Sequence, residues 1–158
     1  MEFAKNVNLR NDDMSSTYLP DTSCLVALLC QWHEHHEATR QSMKKLRRAA
    51  HPMILSAHSL LETYSVLTRL PVPYRLSEDT ALKLLESNWA RADMISLTAD
   101  EYWKLLRTLQ RSNVSGGMAY DALIAACARK GKASFILTWN PQHFLQFQDQ
   151  DLQVRSPD

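Results

Sequence analysis

Asp21, Glu62, Asp121 and Asn140 are the residues whose types and positions could do chemistry. Asp21 follows the short extended run Thr17-Tyr18-Leu19-Pro20, and Asn140 follows the apolar run Phe135-Ile136-Leu137-Thr138 by one residue. Glu62 falls about one and a half turns into a helical pattern, with His58 and Val66 on its face. Asp121 opens an otherwise apolar small-residue helix, Ala122 to Cys127, just after Gly116-Gly117. Carboxylates gathered in one crevice repel each other, and burial worsens the cost unless a cation neutralises them. All-oxygen donors without thiolate or imidazole favour Mg²⁺ or Mn²⁺. Such a cation can polarise a phosphate oxygen and acidify water, which phosphodiester hydrolysis requires. Each residue alone is explained as a cap or a solvated side chain. Their order and placement together favour a site.

The elements needed to position them are legible as an alternation of short apolar runs and helices. Strands are expected at Thr17–Leu19, Met53–Ser56, Met94–Leu97, Phe135–Thr138 and Leu152–Val154. Asp21-Thr22-Ser23 reads as a helix start running into Leu25, Val26, Leu28 and Leu29. A His-rich junction, Trp32 to Glu37, leads to an amphipathic helix that Pro52 breaks. The helix from His58 to Leu70 shows Leu60, Leu61, Tyr64, Leu67 and Leu70 as an apolar face. Ser77 caps the next helix, and Thr98 with Glu101 makes a capping box before the one carrying Trp103, Leu105, Leu106 and Leu109. Gly131 fits the stop of the helix from Ala119 to Lys130. Short buried strands alternating with helices imply an α/β fold, a five-stranded parallel sheet flanked by helices on both faces. In such a sheet, ligands collect at the carboxyl ends of the strands beside the switch point, where Asp21 and Asn140 would meet.

Bulk properties narrow the classes further. The 158 residues suit one domain, and 45% hydrophobic content reads as globular. A formal net charge of +1 means that nucleic-acid binding must come from a local patch. Apolar runs are too short to span a bilayer, no secretory signal is expected, and the three cysteines read as buried free thiols of a reducing cytoplasm. Residues 1–16 are polar and aperiodic and are expected to be a disordered extension, leaving 17–155 as the domain.

Four segments resemble the PIN-domain nucleases, and within them the VapC-type toxins of type II toxin–antitoxin pairs. They are Tyr18-Leu19-Pro20-Asp21-Thr22-Ser23, Ser59 to Pro71 around Glu62, Gly116 to Ala126 around Asp121, and Leu137-Thr138-Trp139-Asn140-Pro141-Gln142-His143-Phe144. The resemblance implies a PIN-like fold and Mg²⁺- or Mn²⁺-dependent endoribonuclease activity on RNA. It also implies frequent homodimers and inhibition by a cognate antitoxin. Asp21, Glu62 and Asp121 would be the acidic residues of the metal site, with Ser23 and Thr138 as supporting hydroxyls. Asn140 stands where many members have Asp, which removes a charge but leaves a carbonyl oxygen. His143 occupies another position where an acid is common.

Other features are weighed beside these. His33-Glu34-His35-His36-Glu37 lacks the second His of a zinc helix motif and reads as a helix-start cluster near the crevice mouth. Lys44, Lys45, Arg47 and Arg48, with Arg40 one turn earlier, serve equally as RNA contacts or as a solvated face. Arg69 reaches substrate or caps its helix end. Tyr102 and Trp103 read as core or interface, and Leu25, Leu28, Leu29 and Trp32 as core or a dimer face. A phosphorelay receiver would need an acidic residue after the third strand, where Leu97-Thr98 stands. A haloacid-dehalogenase-like phosphatase would need Asp at position 23, which is Ser. The alternative that keeps the fold is a catalytically weak PIN module that binds RNA or acts as a scaffold, motivated by Asn140.

Overall fold

The computed structural model describes residues 16–157. The expectation for residues 1–15 lies outside the described residues. Ser16, by contrast, is part of the fold: its backbone N lies 2.8 Å from His51 Nδ1. The elements run β1 (Tyr18–Pro20), α1 (Thr22–Leu29), α2 (His36–Arg48), β2 (Ile54–Ser56), α3 (Ala57–Arg69), α4 (Glu78–Trp89), β3 (Asp93–Ile95), α5 (Ala99–Arg111), α6 (Met118–Lys130), β4 (Phe135–Leu137), α7 (Pro141–Phe144) and β5 (Gln153–Arg155).

All five strands are three residues long, and every pairing is parallel. They form two ladders, β1-β4-β5 and β2-β3. A single parallel bridge from Tyr18 to Met53 joins them, with Tyr18 N donating to Pro52 O. The expected five-stranded sheet is therefore a three-strand ladder and a two-strand ladder in the order 3-2-1-4-5. Such short strands hold because alternate residues are buried on opposite faces. Leu19, Ile54 and Ile136 pack with Leu123, Ile124, Cys127 and Ala128 of α6 and Phe144 of α7. Tyr18, Phe135 and Leu137 meet Cys24 and Met43 of α1 and α2. Leu55 packs with Leu25, Leu85 and Trp89. Helices thus cover both faces.

Local signals set several helix ends. Ser77 accepts from Thr80 N at the start of α4, and Thr98 with Glu101 completes the capping box of α5. All three cysteines are buried and free. Two details differ from the sequence expectation, and two open readings narrow. β3 begins one residue earlier and ends at Ile95, because its register is set by β2 and not by its own apolar run. Leu61 is exposed, since Leu67 and the partly buried Leu60 and Tyr64 fill the inner arc of α3. Leu25 is wholly buried in the core, which decides between core and dimer face for this residue. Of the two readings for Tyr102 and Trp103, their exposure on α5 excludes the core and leaves the interface.

Gly131 ends α6 where the chain passes closest to the two-strand ladder. A Cβ there would run into Ile54 Cδ1 and come within 3.0 Å of Ile95 Cγ1. Gly131→Ala should therefore destabilise the fold by about 1–3 kcal/mol through overpacking. Denaturant unfolding measures this, and an unchanged midpoint would contradict the packing described.

Candidate active site at the carboxyl ends of β1 and β4

The chain reverses its direction of sheet growth between β1 and β4, and a crevice opens at their carboxyl ends. Asp21 leaves β1 with its backbone N–H donating to Leu137 O of β4, and caps α1 by accepting from Cys24 N at 3.3 Å. Its carboxylate is 5% exposed. Ser23 Oγ donates to Oδ1 at 2.6 Å, and Thr138 Oγ1 donates to Oδ2 at 2.9 Å. Both hydroxyls are held in turn: Trp139 N donates to Ser23 Oγ and Asn140 N to Thr138 Oγ1, each at 2.9 Å. Despite these donors, burial pushes the Asp21 carboxyl up from 3.8 to about 6, and the charge of Asp121 adds to the rise.

Glu62 projects from α3, which starts directly at the end of β2. Thr22 Oγ1 donates to Glu62 Oε2 at 2.5 Å. His58, one turn earlier, places Nε2 3.5 Å from the same oxygen without completing a hydrogen bond. Asp121 lies in the first turn of α6, where the helix dipole favours a negative charge. Gly116, at φ +61°, makes the turn that launches this helix. Burial raises the Asp121 carboxyl above its usual range; His143, 3.6 Å away, opposes this, and Glu62 adds to it.

Asp21, Glu62, Asp121 and Asn140 all line one crevice of about 770 Å³, together with Ser23, Trp139 and His143. Thr138 lies buried behind it. His33, Glu34 and His35 line the crevice as well, just before α2 begins. The other basic candidates are placed elsewhere. Lys44, Lys45 and Arg48 border a separate depression on α2, Arg47 faces a second one, and Arg69 is exposed at the end of α3. Sequence reasoning missed Thr22 and the wall formed by Trp139. The Asp-Thr-Ser start of α1 already carried the first, but its partner stands forty residues away.

The donor set suits a hard dication: three carboxylates and an amide oxygen, with Asp21 destabilised in its charged form by burial and Asp121, and Asp121 by burial and Glu62. Among the described residues, no three His, Cys, Asp or Glu side chains sit close enough to enclose an ion.

Because the folded Asp21 carboxyl titrates near 6 against an ordinary 3.8, its favourable contribution is complete below about pH 4 and is lost as pH rises through 6. In metal-free buffer, Asp21→Asn should therefore gain on the wild type by roughly 3 kcal/mol between about pH 4 and pH 8. Parallel unfolding curves across that range check this, and a pH-independent difference would contradict it.

Comparison with known proteins follows the same geometry. The PIN domain family model matches residues 18–147. Ribonuclease VapC40 of Mycobacterium tuberculosis is 39% identical over 117 residues, 74% of this chain and 82% of that protein. Ribonuclease VapC27 of the same species is 39% identical over 113 residues, covering 72% and 77%. Among solved structures, Mycobacterium tuberculosis VapC20, described as a Sarcin-Ricin loop cleaving toxin, aligns with TM-score 0.66 at 20% identity over 85% of this chain and 98% of its own. VapBC2 of Rickettsia felis, bound to a promoter DNA fragment, gives 0.65 at 19% identity over 90% and 99%. The sheet order, the crevice and these matches agree: the chain belongs to the PIN-domain family, and within it to the VapC-type ribonucleases.

Proposed function

We propose that this chain is a Mg²⁺- or Mn²⁺-dependent endoribonuclease acting as the toxin of a toxin–antitoxin pair in the cytoplasm. One observation carries the reading. Asp21, Glu62 and Asp121 line a single crevice, and Asp121 penalises ionisation of Asp21 while Glu62 penalises that of Asp121. A fold keeps such an arrangement when a cation offsets it. Asp21, Glu62 and Asp121 would hold the metal, with the Asn140 carbonyl as a further oxygen. When bound, the cation supplies charge stabilisation at a phosphodiester and a lower pKa for water.

The protein's own groups prepare that site. Ser23 and Thr138 fix both oxygens of Asp21, and Thr22 fixes Glu62, so neither carboxylate must reorganise. Trp139 and Val66 form part of the crevice wall. The partners proposed are RNA, a cognate antitoxin and a second copy of the chain. Similarity to VapBC assemblies supports the antitoxin, and the exposed Tyr102, Trp103 and Leu106 of α5 support a dimer surface. Among the described residues, no helix is long and apolar enough to cross a membrane.

Asn140 favours a second reading, a PIN module that binds RNA with little turnover, because it brings no charge to the crevice. One experiment separates the two. Wild type and Asp121→Asn, each freed of any inhibitor, are incubated with RNA in Mg²⁺, Mn²⁺ or chelator. The enzyme reading expects metal-dependent cleavage by the wild type and a loss of at least about 100-fold in the variant. Equal cleavage by both would contradict it, and binding without cleavage would favour the module.

A further inference from the structure

A run of aromatic rings leads out of the crevice. Trp139, in the crevice wall, is stacked by His35 with ring centroids 3.9 Å apart and planes 8° apart. His35 lies 5.5 Å from His33, His33 lies 5.9 Å from Trp32, and Trp32 stacks on Tyr74 at 4.2 Å. These rings come from the loop before α2, the loop after β4 and the loop between α3 and α4. At the far end Trp32 is 47% and Tyr74 44% exposed. The near end is anchored: Trp139 Nε1 donates to Thr39 Oγ1 at 2.8 Å, which donates to His35 O at 2.7 Å. His33 accepts from His35 N on Nδ1, and burial together with His35 keeps its ring below the usual histidine range.

We propose that the Trp139–His35–His33–Trp32–Tyr74 track is a binding surface for the unpaired bases of a single-stranded RNA segment entering the crevice. The inference rests on the ribonuclease reading above and extends the substrate footprint several rings beyond the carboxylates. Two observations favour RNA over a protein segment. The track is continuous with the crevice through Trp139, His33 and His35. Its rings carry polar edges: the indole N–H of tryptophan, the ring nitrogens of histidine and the hydroxyl of tyrosine. With the basic residues of α2 around other depressions and Glu34 beside the histidines, the track would hold RNA by stacking on bases and not by pairing with phosphates. Unpaired bases are the part of RNA that aromatic side chains recognise, because paired bases hide their faces.

The test uses the full chain in chelator, where no cleavage occurs, with a fluorescein-labelled unstructured dodecamer oligoribonucleotide and a duplex of the same sequence. Anisotropy titrations compare wild type, Trp32→Ala, Tyr74→Ala and Trp32→Phe, each checked for a native melt. The expected result is about a tenfold to hundredfold weaker single-strand affinity in each alanine variant. Trp32→Phe should stay near wild type. The salt dependence should not change, since no phosphate contact is removed. Equal single-strand binding by wild type and both alanine variants would overturn the track, as would equal losses on the duplex. Intact RNA binding with loss only of antitoxin binding would assign the surface to a protein and overturn it too. A wild type that binds neither RNA form would likewise overturn the track, while the ribonuclease reading is decided separately by the cleavage assay in Mg²⁺ or Mn²⁺.

Discussion

Burial of one carboxylate at the end of a parallel strand is the constraint on which the rest of the site depends. Asp21 sits almost out of reach of water, where its charged form is unfavourable, and three local donors do not fully offset that cost. The residues around it are arranged in relation to that charge. Ser23 and Thr138 each hold one oxygen, and each is fixed by a backbone N–H from the segment after β4. The same segment delivers Asn140 and Trp139. A change in any of these would be felt through Asp21.

The sheet makes that burial possible with little material. Five strands of three residues cannot hold by their ladders alone, and a single bridge joins the two halves. Stability comes from the helices packed on both faces. On one side α6 uses small residues to approach closely, which brings Asp121 down to the crevice while Leu123 and Ile124 fill the core. On the other, α1 is buried along Cys24 to Ala27, so its first turn and the Asp21 cap are rigid. Packing and site share the same elements, and the polar groups of the site are satisfied by short, local links.

Legibility in the sequence followed the range of the interactions. Helix ends written in neighbouring residues, such as Ser77, Thr98 with Glu101, and Gly131, could be read directly. The alternation of apolar runs and helices gave the fold class, and the positions of Asp21, Glu62, Asp121 and Asn140 relative to those runs marked residues that do share a crevice. What could not be read depends on distant partners. A three-residue strand has barely one period of alternation, so the bounds of β3 and the division of the sheet were set by β2 and not by the local run. The Thr22–Glu62 bond and the Trp139–Thr39 bond span 40 and 100 residues. Leu61 looked apolar enough for the core, and only the rotation of α3 against α1 and α4 decides that it faces water. The contact of Trp32 with Tyr74 likewise has no local signature.

Under the proposed function, a divalent cation relieves the charge strain around Asp21. Calorimetric Mn²⁺ titrations in buffers of different ionisation enthalpy test it most directly, because they count the protons released on binding. With Asp21 titrating near 6, uptake near pH 6 should release a substantial fraction of a proton, and by about pH 8 the release should approach zero. Failure to take up Mn²⁺ at millimolar concentration, or uptake whose proton release does not change with pH, would contradict the account.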